Sequence, residues 1–148
     1  MTKQIEVAIA IIYQSNQFLM QLRDDIPTIK YPGKWGLFGG HIELGETPEI
    51  ALIRELKEEI NLDVNEMQKF GIYPDPEVLR HVFAVPLNVD IEQLTLNEGW
   101  DFKLISHDEI TQGQAFSAKA GIKPLGERHQ QILLDFIKSE QSPFLKLV

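Results

Sequence analysis

The chain is 148 residues long, 43% hydrophobic and 24% charged, which predicts one globular domain, residues 1–148, and excludes a disordered chain. It contains no cysteine, so disulfides, thiolate metal sites and cysteine nucleophiles are ruled out. A net charge of −8 argues against nucleic acid as a partner, because gripping a polyanion needs clustered Lys and Arg.

Residues 5–13 are rich in β-branched side chains and almost continuously apolar, which predicts a strand covered on both faces. The run is far shorter than the ~20 residues that span a bilayer. No small-residue cleavage site follows it. The expectation is a cytoplasmic protein without a membrane partner. Gln14, Ser15 and Asn16 signal a turn, and residues 17–22 read as the partner strand. Residues 24–34 hold Pro27, Pro32 and Gly33 and predict a loop. Residues 35–42 read as a strand interrupted by Gly36, Gly39 and Gly40.

The clearest helix follows. Thr47 is a good N-cap, Pro48 suits the first helical position, and Glu49 favours the positive end of the dipole. Ala51, Leu52, Leu56 and Ile60 form an apolar stripe, and Asn61 can stop the helix in a left-handed conformation. Further strands are expected at residues 67–73, 78–87 and 100–105. Ser106 and Glu109 have the spacing of a capping box for a short helix. Residues 127–138 predict a last helix with Ile132, Leu133, Phe136 and Ile137 turned inward. The fold class is therefore α/β, a mixed sheet packed between helices.

Charge is unevenly placed. Residues 43–63 carry seven acids against Arg54 and Lys57, which is −5 of the total −8. Glu55, Glu58 and Glu59 fall at i, i+3 and i+4, on one helix face away from the apolar stripe. Like charges there repel, and a hard divalent cation such as Mg²⁺ or Mn²⁺ would reverse the penalty. Acidic helix faces are commonplace, however, and Arg54 and Lys57 are placed to lace this one with ion pairs. Spacing alone does not make a metal site.

The context is more specific. From Gly40 the text runs through five residues to Glu46, then seven more to Arg54-Glu55-Leu56-Lys57-Glu58-Glu59-Ile60-Asn61-Leu62. This resembles the Nudix box, GX5EX7REUXEEXGU with U aliphatic, at every specified position except Asn61, which replaces glycine. The resemblance implies an α/β/α sandwich and a Mg²⁺-dependent hydrolase acting on acid anhydrides, with Mn²⁺ as a substitute. Its substrate would be a small molecule, a nucleoside diphosphate linked to a further group. Glu55, Glu58 and Glu59 would hold the cation, Glu59 foremost, joined by a backbone carbonyl of Gly39 or Gly40. Arg54 would pair with a box glutamate rather than touch the metal, and Glu46 is its natural acceptor. The general base would be Glu98 or Glu55, since family members differ on this point.

Outside the box the candidates are weaker. Arg23 is placed to reach a substrate phosphate or to pair with Asp24 or Asp25. Trp35, Phe38 and Trp100 are candidates for stacking on a base, although aromatic residues in strands usually belong to the core. His41 is a phosphate contact or a surface residue, and His81 an ordinary strand residue. The first expectation for substrate is (d)NTPs or oxidised dNTPs, with nucleoside diphosphate sugars second. Phe38 stands where many triphosphate-cleaning members carry proline, which counts against the first. Loops at 24–34 and 112–123 are expected to set specificity. A non-catalytic nucleotide sensor is the alternative to an enzyme, and a homodimer is compatible with the sequence.

Overall fold

A computed structural model describes residues 4–24 and 32–139. Its elements are, in chain order, β1 (Ile5–Gln14), β2 (Gln17–Leu22), β3 (Trp35–Gly36), β4 (Phe38–His41), α1 (Pro48–Ile60), β5 (Gln68–Pro74) and β6 (Val78–Pro86). A 3-10 turn (Ile91–Gln93) is followed by β7 (Asp101–Ser106), α2 (His107–Gln112), β8 (Gln114–Ser117), β9 (Gly121–Pro124) and α3 (Glu127–Lys138). This is an α/β fold with a mixed sheet and three α-helices among the described residues. The chain divides into two compact units, one running to Ile12 and including Phe38–Asn97, the other made of Tyr13–Leu37 and the chain from Glu98 onward.

In the first unit β1 is buried without alternation from Ala8 to Ile12, as its unbroken apolar run requires. It pairs antiparallel with β4, Ala8 opposite Gly40 and Ile9 opposite Gly39. On its other edge it borders β6, and β5 pairs antiparallel with β6 at the end of that order. A bulge lies between Lys69 and Gly71. Helix α1 buries Ala51, Leu52, Leu56 and Ile60, which leaves its glutamates on other faces. Arg80 is almost fully buried in β6 and its guanidinium is neutralised by Asp75.

In the second unit β2 pairs antiparallel with β7 along its whole length and with β3 at Gln21 and Leu22. The turn entering β2 is made by Ser15 and Asn16, both at positive φ, the twist that two-residue hairpins favour. Phe136 of α3 packs against Tyr13 and edge-on against Phe18, with ring centroids 5.9 and 6.1 Å apart. The capping box of α2 is complete: Ser106 Oγ accepts from the Glu109 N–H and Glu109 Oε1 from the Ser106 N–H.

Two expectations are corrected here. Residues 35–42 are two strands rather than one, parted at Leu37, whose N–H donates to the buried His129 Nδ1 at 3.0 Å instead of to a neighbouring strand. The span 112–123 is largely a hairpin, β8 and β9, rather than a loop. Only Ala115 and Ser117 of β8 turn inward, so the apolar signal is too short to stand out. The loop expected at 24–34 falls mostly on residues 25–31, outside those described.

Glu109 yields a test of pH dependence. Partial burial raises the pKa of its carboxyl, but the Ser106 N–H and the Lys103 ammonium at 3.2 Å lower it further, so the net position is below the ordinary 4.5. A depressed carboxyl contributes stability that is complete above the unfolded pKa and lost as pH falls through the folded one. Urea unfolding from pH 7 to 3 is expected to show the wild type losing more stability below pH 4.5 than Glu109→Gln. At pH 7 the variant, which keeps a capping acceptor but loses the charge pair, should be weaker by about 0.5 kcal/mol.

Candidate active site

The site is built on α1 and the loop before it. Thr47 Oγ1 accepts from the Ile50 N–H at 3.2 Å and Pro48 occupies the first turn, so the helix starts where its local chemistry dictates. At the other end Asn61 is left-handed, φ 55° and ψ 36°. Its N–H reaches the Lys57 carbonyl at 3.0 Å and the Leu62 N–H reaches Leu56 at 3.2 Å, the paired bonds of a Schellman ending. Asparagine thus does here what the glycine of the box pattern does.

Arg54 organises the acidic residues. Its Nε and Nη2 donate to the two oxygens of Glu46 at 2.8 and 2.9 Å, a fork-on-carboxylate pair. Nη1 donates to Glu55 Oε1 at 2.9 Å and to Glu58 Oε2 at 3.4 Å, and Nη2 also reaches the His41 carbonyl at 3.1 Å. Hydrogen bonds from Arg54 and from the Glu43 N–H pull the Glu46 carboxyl down to about 2, and the same pairing holds Arg54 above its usual range. The loop between Glu43 and Glu46 closes on itself, the Glu43 N–H donating to Glu46 Oε1 and the Glu46 N–H to the Glu43 carbonyl.

Glycines bring the backbone of β4 against this helix. A Cβ on Gly40 would stand 2.5 to 2.7 Å from the carboxyl atoms of Glu55, so that carboxylate lies directly on the Gly40 backbone. The side chain of Glu55 is 16% exposed and that of Glu58 61%, so Glu58 is the member most open to solvent. Glu59 has one carboxylate oxygen, Oε2, shielded from solvent.

The structure therefore brings together Glu46, Arg54, Glu55, Glu58, the His41 carbonyl and the Gly40 backbone. Among the described residues no three acidic or histidine side chains converge into a cation-holding group. Three of the box carboxylates, Glu46, Glu55 and Glu58, lean on Arg54 instead, which relieves their mutual repulsion. In kind, the donors fit a hard divalent cation: carboxylate oxygens at i, i+3 and i+4 of one helix, with backbone close beside Glu55.

Arg23, Glu98 and Trp100 belong to the second unit. Among the described residues Arg23 forms no ion pair, its Nε is buried without a hydrogen-bond partner, and its Cδ lies 3.9 Å from where a Cβ on Gly36 would stand. Asp25 is outside the described residues. Glu98 is exposed, and Trp100 is half-buried with the Lys123 ammonium 5.6 Å from its ring centroid. Trp35 and Phe38 are fully buried, Trp35 donating its indole N–H to the Ala115 carbonyl, so both are core residues and stack on nothing outside it. His81 pairs with Glu6 at 3.0 Å.

Sequence reasoning passed over Asn97. Its side-chain amide donates to the Glu58 carbonyl at 2.6 Å and its backbone N–H to the Glu59 carbonyl at 2.9 Å. The only local signal is an asparagine two residues before Gly99, which reads as a turn.

Comparison with known proteins decides the family. The model of the NUDIX domain matches residues 2–128. The chain belongs to the Nudix family. It is 28% identical over 130 residues to an ADP-ribose pyrophosphatase of Methanocaldococcus jannaschii, covering 86% of this chain and 70% of that one. An 8-oxo-dGTP diphosphatase of Proteus vulgaris is 56% identical over 57 residues, 36% of this chain and 51% of the relative. In fold the chain is similar to the NUDIX domain of Shewanella oneidensis NrtR, solved in complex with ADP ribose. That match has a TM-score of 0.69 and 17% identity, and covers 100% of this chain and 91% of the other. The chain is a Nudix pyrophosphohydrolase. Among the described residues no helix is long and apolar enough to cross a membrane.

Proposed function

We propose that this Nudix enzyme hydrolyses a nucleoside diphosphate linked to a sugar, of the ADP-ribose kind, with Mg²⁺ as cofactor and Mn²⁺ as a substitute. One observation carries the chemistry: a single turn and a half of α1 presents Glu55, Glu58 and Glu59, while Arg54, clamped by Glu46, stands between two of them. In this reading Glu59 is the principal cation ligand, with Glu55, Glu58 and a carbonyl of Gly39 or Gly40. The bound cation would acidify a water and neutralise charge on the diphosphate. Arg54 keeps the Glu55 carboxylate in place against Gly40, so that the ligand set is oriented before substrate arrives. Glu98 takes the proton from the attacking water, with Glu55 as the alternative base. Arg23 carries an unpaired buried N–H suited to a phosphate oxygen, and Trp100 offers a ring face to the nucleobase; His41 lines the phosphate side. We take residues 1–148 to work as one domain, which one family model running through both units supports.

The sugar-linked substrate is preferred because the relative matched over most of this chain is an ADP-ribose pyrophosphatase. The buried Phe38 in place of proline also counts against triphosphates. The short, stronger identity to an 8-oxo-dGTP diphosphatase supports oxidised dNTPs as the second reading. A panel of ADP-ribose, other nucleoside diphosphate sugars, dNTPs and 8-oxo-dGTP, each with Mg²⁺ and with chelator, tests both. ADP-ribose should yield AMP and ribose 5-phosphate, at least tenfold faster by kcat/KM than any triphosphate. Faster turnover of 8-oxo-dGTP would replace the first reading by the second. Tight ADP-ribose binding without product by phosphorus NMR would mean a sensor.

A further inference from the structure

The last turn of α1 bears Glu58 and Glu59, and helix ends ordinarily fray because their final carbonyls lack partners. Here every carbonyl from Leu56 to Ile60 has one. Leu56 and Lys57 are taken by the N–H groups of Leu62 and Asn61, within the Schellman ending. The next three are taken by a segment more than thirty residues along the chain: Glu58 by the Asn97 side-chain amide at 2.6 Å, Glu59 by the Asn97 N–H at 2.9 Å, and Ile60 by the Thr95 N–H at 3.1 Å. Thr95 and the Asn97 main chain act through backbone, which most residues would supply. The amide of Asn97 is the one side-chain-specific bond in the set. It falls on Glu58, the most open to solvent of the three candidate ligands Glu55, Glu58 and Glu59.

We propose that Asn97 is a positioning residue that locks the final turn of α1 and so fixes Glu58 and Glu59 for cation binding. This rests on the cation reading of the box. Asn97 does not touch the cation: it removes the freedom of the peptide units from which two of the ligands project. A ligand pair that wanders must be ordered when the cation binds, and that ordering weakens affinity. Because the bond is to the main chain of a ligand residue and is solvent-exposed, its effect should fall below the 10- to 100-fold cost of losing a partner of the liganding group itself.

The test is Mn²⁺ binding to the full chain, followed by the EPR signal of free Mn²⁺ well below the melting temperature. Asn97→Ala should raise the Mn²⁺ Kd about fivefold. The control is Thr47→Ala, which weakens the same helix from its opposite end and lies outside the machinery. It should lower the Tm to a similar degree yet leave the Kd unchanged. Asn97→Ala binding Mn²⁺ like the wild type, or Thr47→Ala losing as much affinity, would overturn the proposal. Absence of saturable Mn²⁺ binding by the wild type would fell it together with the cation reading, and is told apart because no variant is needed to see it.

Discussion

Replacing Glu59 by glutamine is expected to lower kcat by about 10³-fold with ADP-ribose and Mg²⁺, while KM changes by no more than a few-fold. The argument is electrostatic. An amide matches the carboxylate in shape but carries no charge, so it binds a hard cation weakly. The contribution of a cation to transition-state charge stabilisation is several kcal/mol, and about 4 kcal/mol corresponds to a thousandfold in rate. Binding of the nucleoside portion does not draw on the same interaction, so the loss should appear in kcat. Steady-state kinetics at saturating Mg²⁺ check this. If the variant were as fast as the wild type, Glu59 would hold no cation. A recovery of rate at higher Mg²⁺ would show that affinity alone had fallen.

The largest effect on stability is expected at Gly39. Its φ of +149° is one that L side chains rarely adopt, and a Cβ there would stand 2.1 Å from the Ala8 carbonyl oxygen. That oxygen belongs to buried backbone of β1 paired with β4, so it cannot swing aside as a surface side chain would. Backbone strain of about 1–3 kcal/mol and overpacking of about 1–3 kcal/mol combine to about 4 kcal/mol for Gly39→Ala. For a chain of this length the Tm should drop by about 10 °C. Gly45→Ala is the internal comparison: φ there is +87°, but nothing lies within 4 Å of the added carbon, so only the strain of about 1 kcal/mol remains. Equal losses at the two positions, read by urea unfolding, would show that the contact with Ala8 carries no weight.

How far such features could be read before the structure depends on how local their causes are. Helix α1 was legible to the residue, because Thr47, Pro48 and Asn61 are start and stop signals that act within a turn. The face bearing Glu55, Glu58 and Glu59 was legible for the same reason: helical spacing fixes it without reference to the rest of the chain. The β8–β9 hairpin was not, since two inward residues on a four-residue strand make no pattern. Nor was the contact of Asn97 with Glu58, which joins residues 39 positions apart. The roles of Trp35 and Phe38 depended on whether a strand aromatic faces inward or outward, and burial decided for the core. Of the two acidic partners expected for Arg23, Asp24 does not pair with it, because successive side chains along an extended chain point to opposite sides, and Asp25 is outside the described residues.

The position of β5 at the end of its strand order has a consequence for how the molecule behaves in crowded solution. A terminal strand offers a row of open N–H and C=O groups on which a second chain could zip, and Ile72, 60% exposed, makes this one sticky. Three features of the same seven residues work against it: the solvent-facing charge of Lys69, the irregularity between Lys69 and Gly71 that spoils a continuous ladder, and Pro74, which has no N–H to offer. The margin against fibrous self-association thus sits on a few surface residues of the strand that follows the acidic helix, none of them on the helix itself. Removing Lys69 would erode it without touching catalysis.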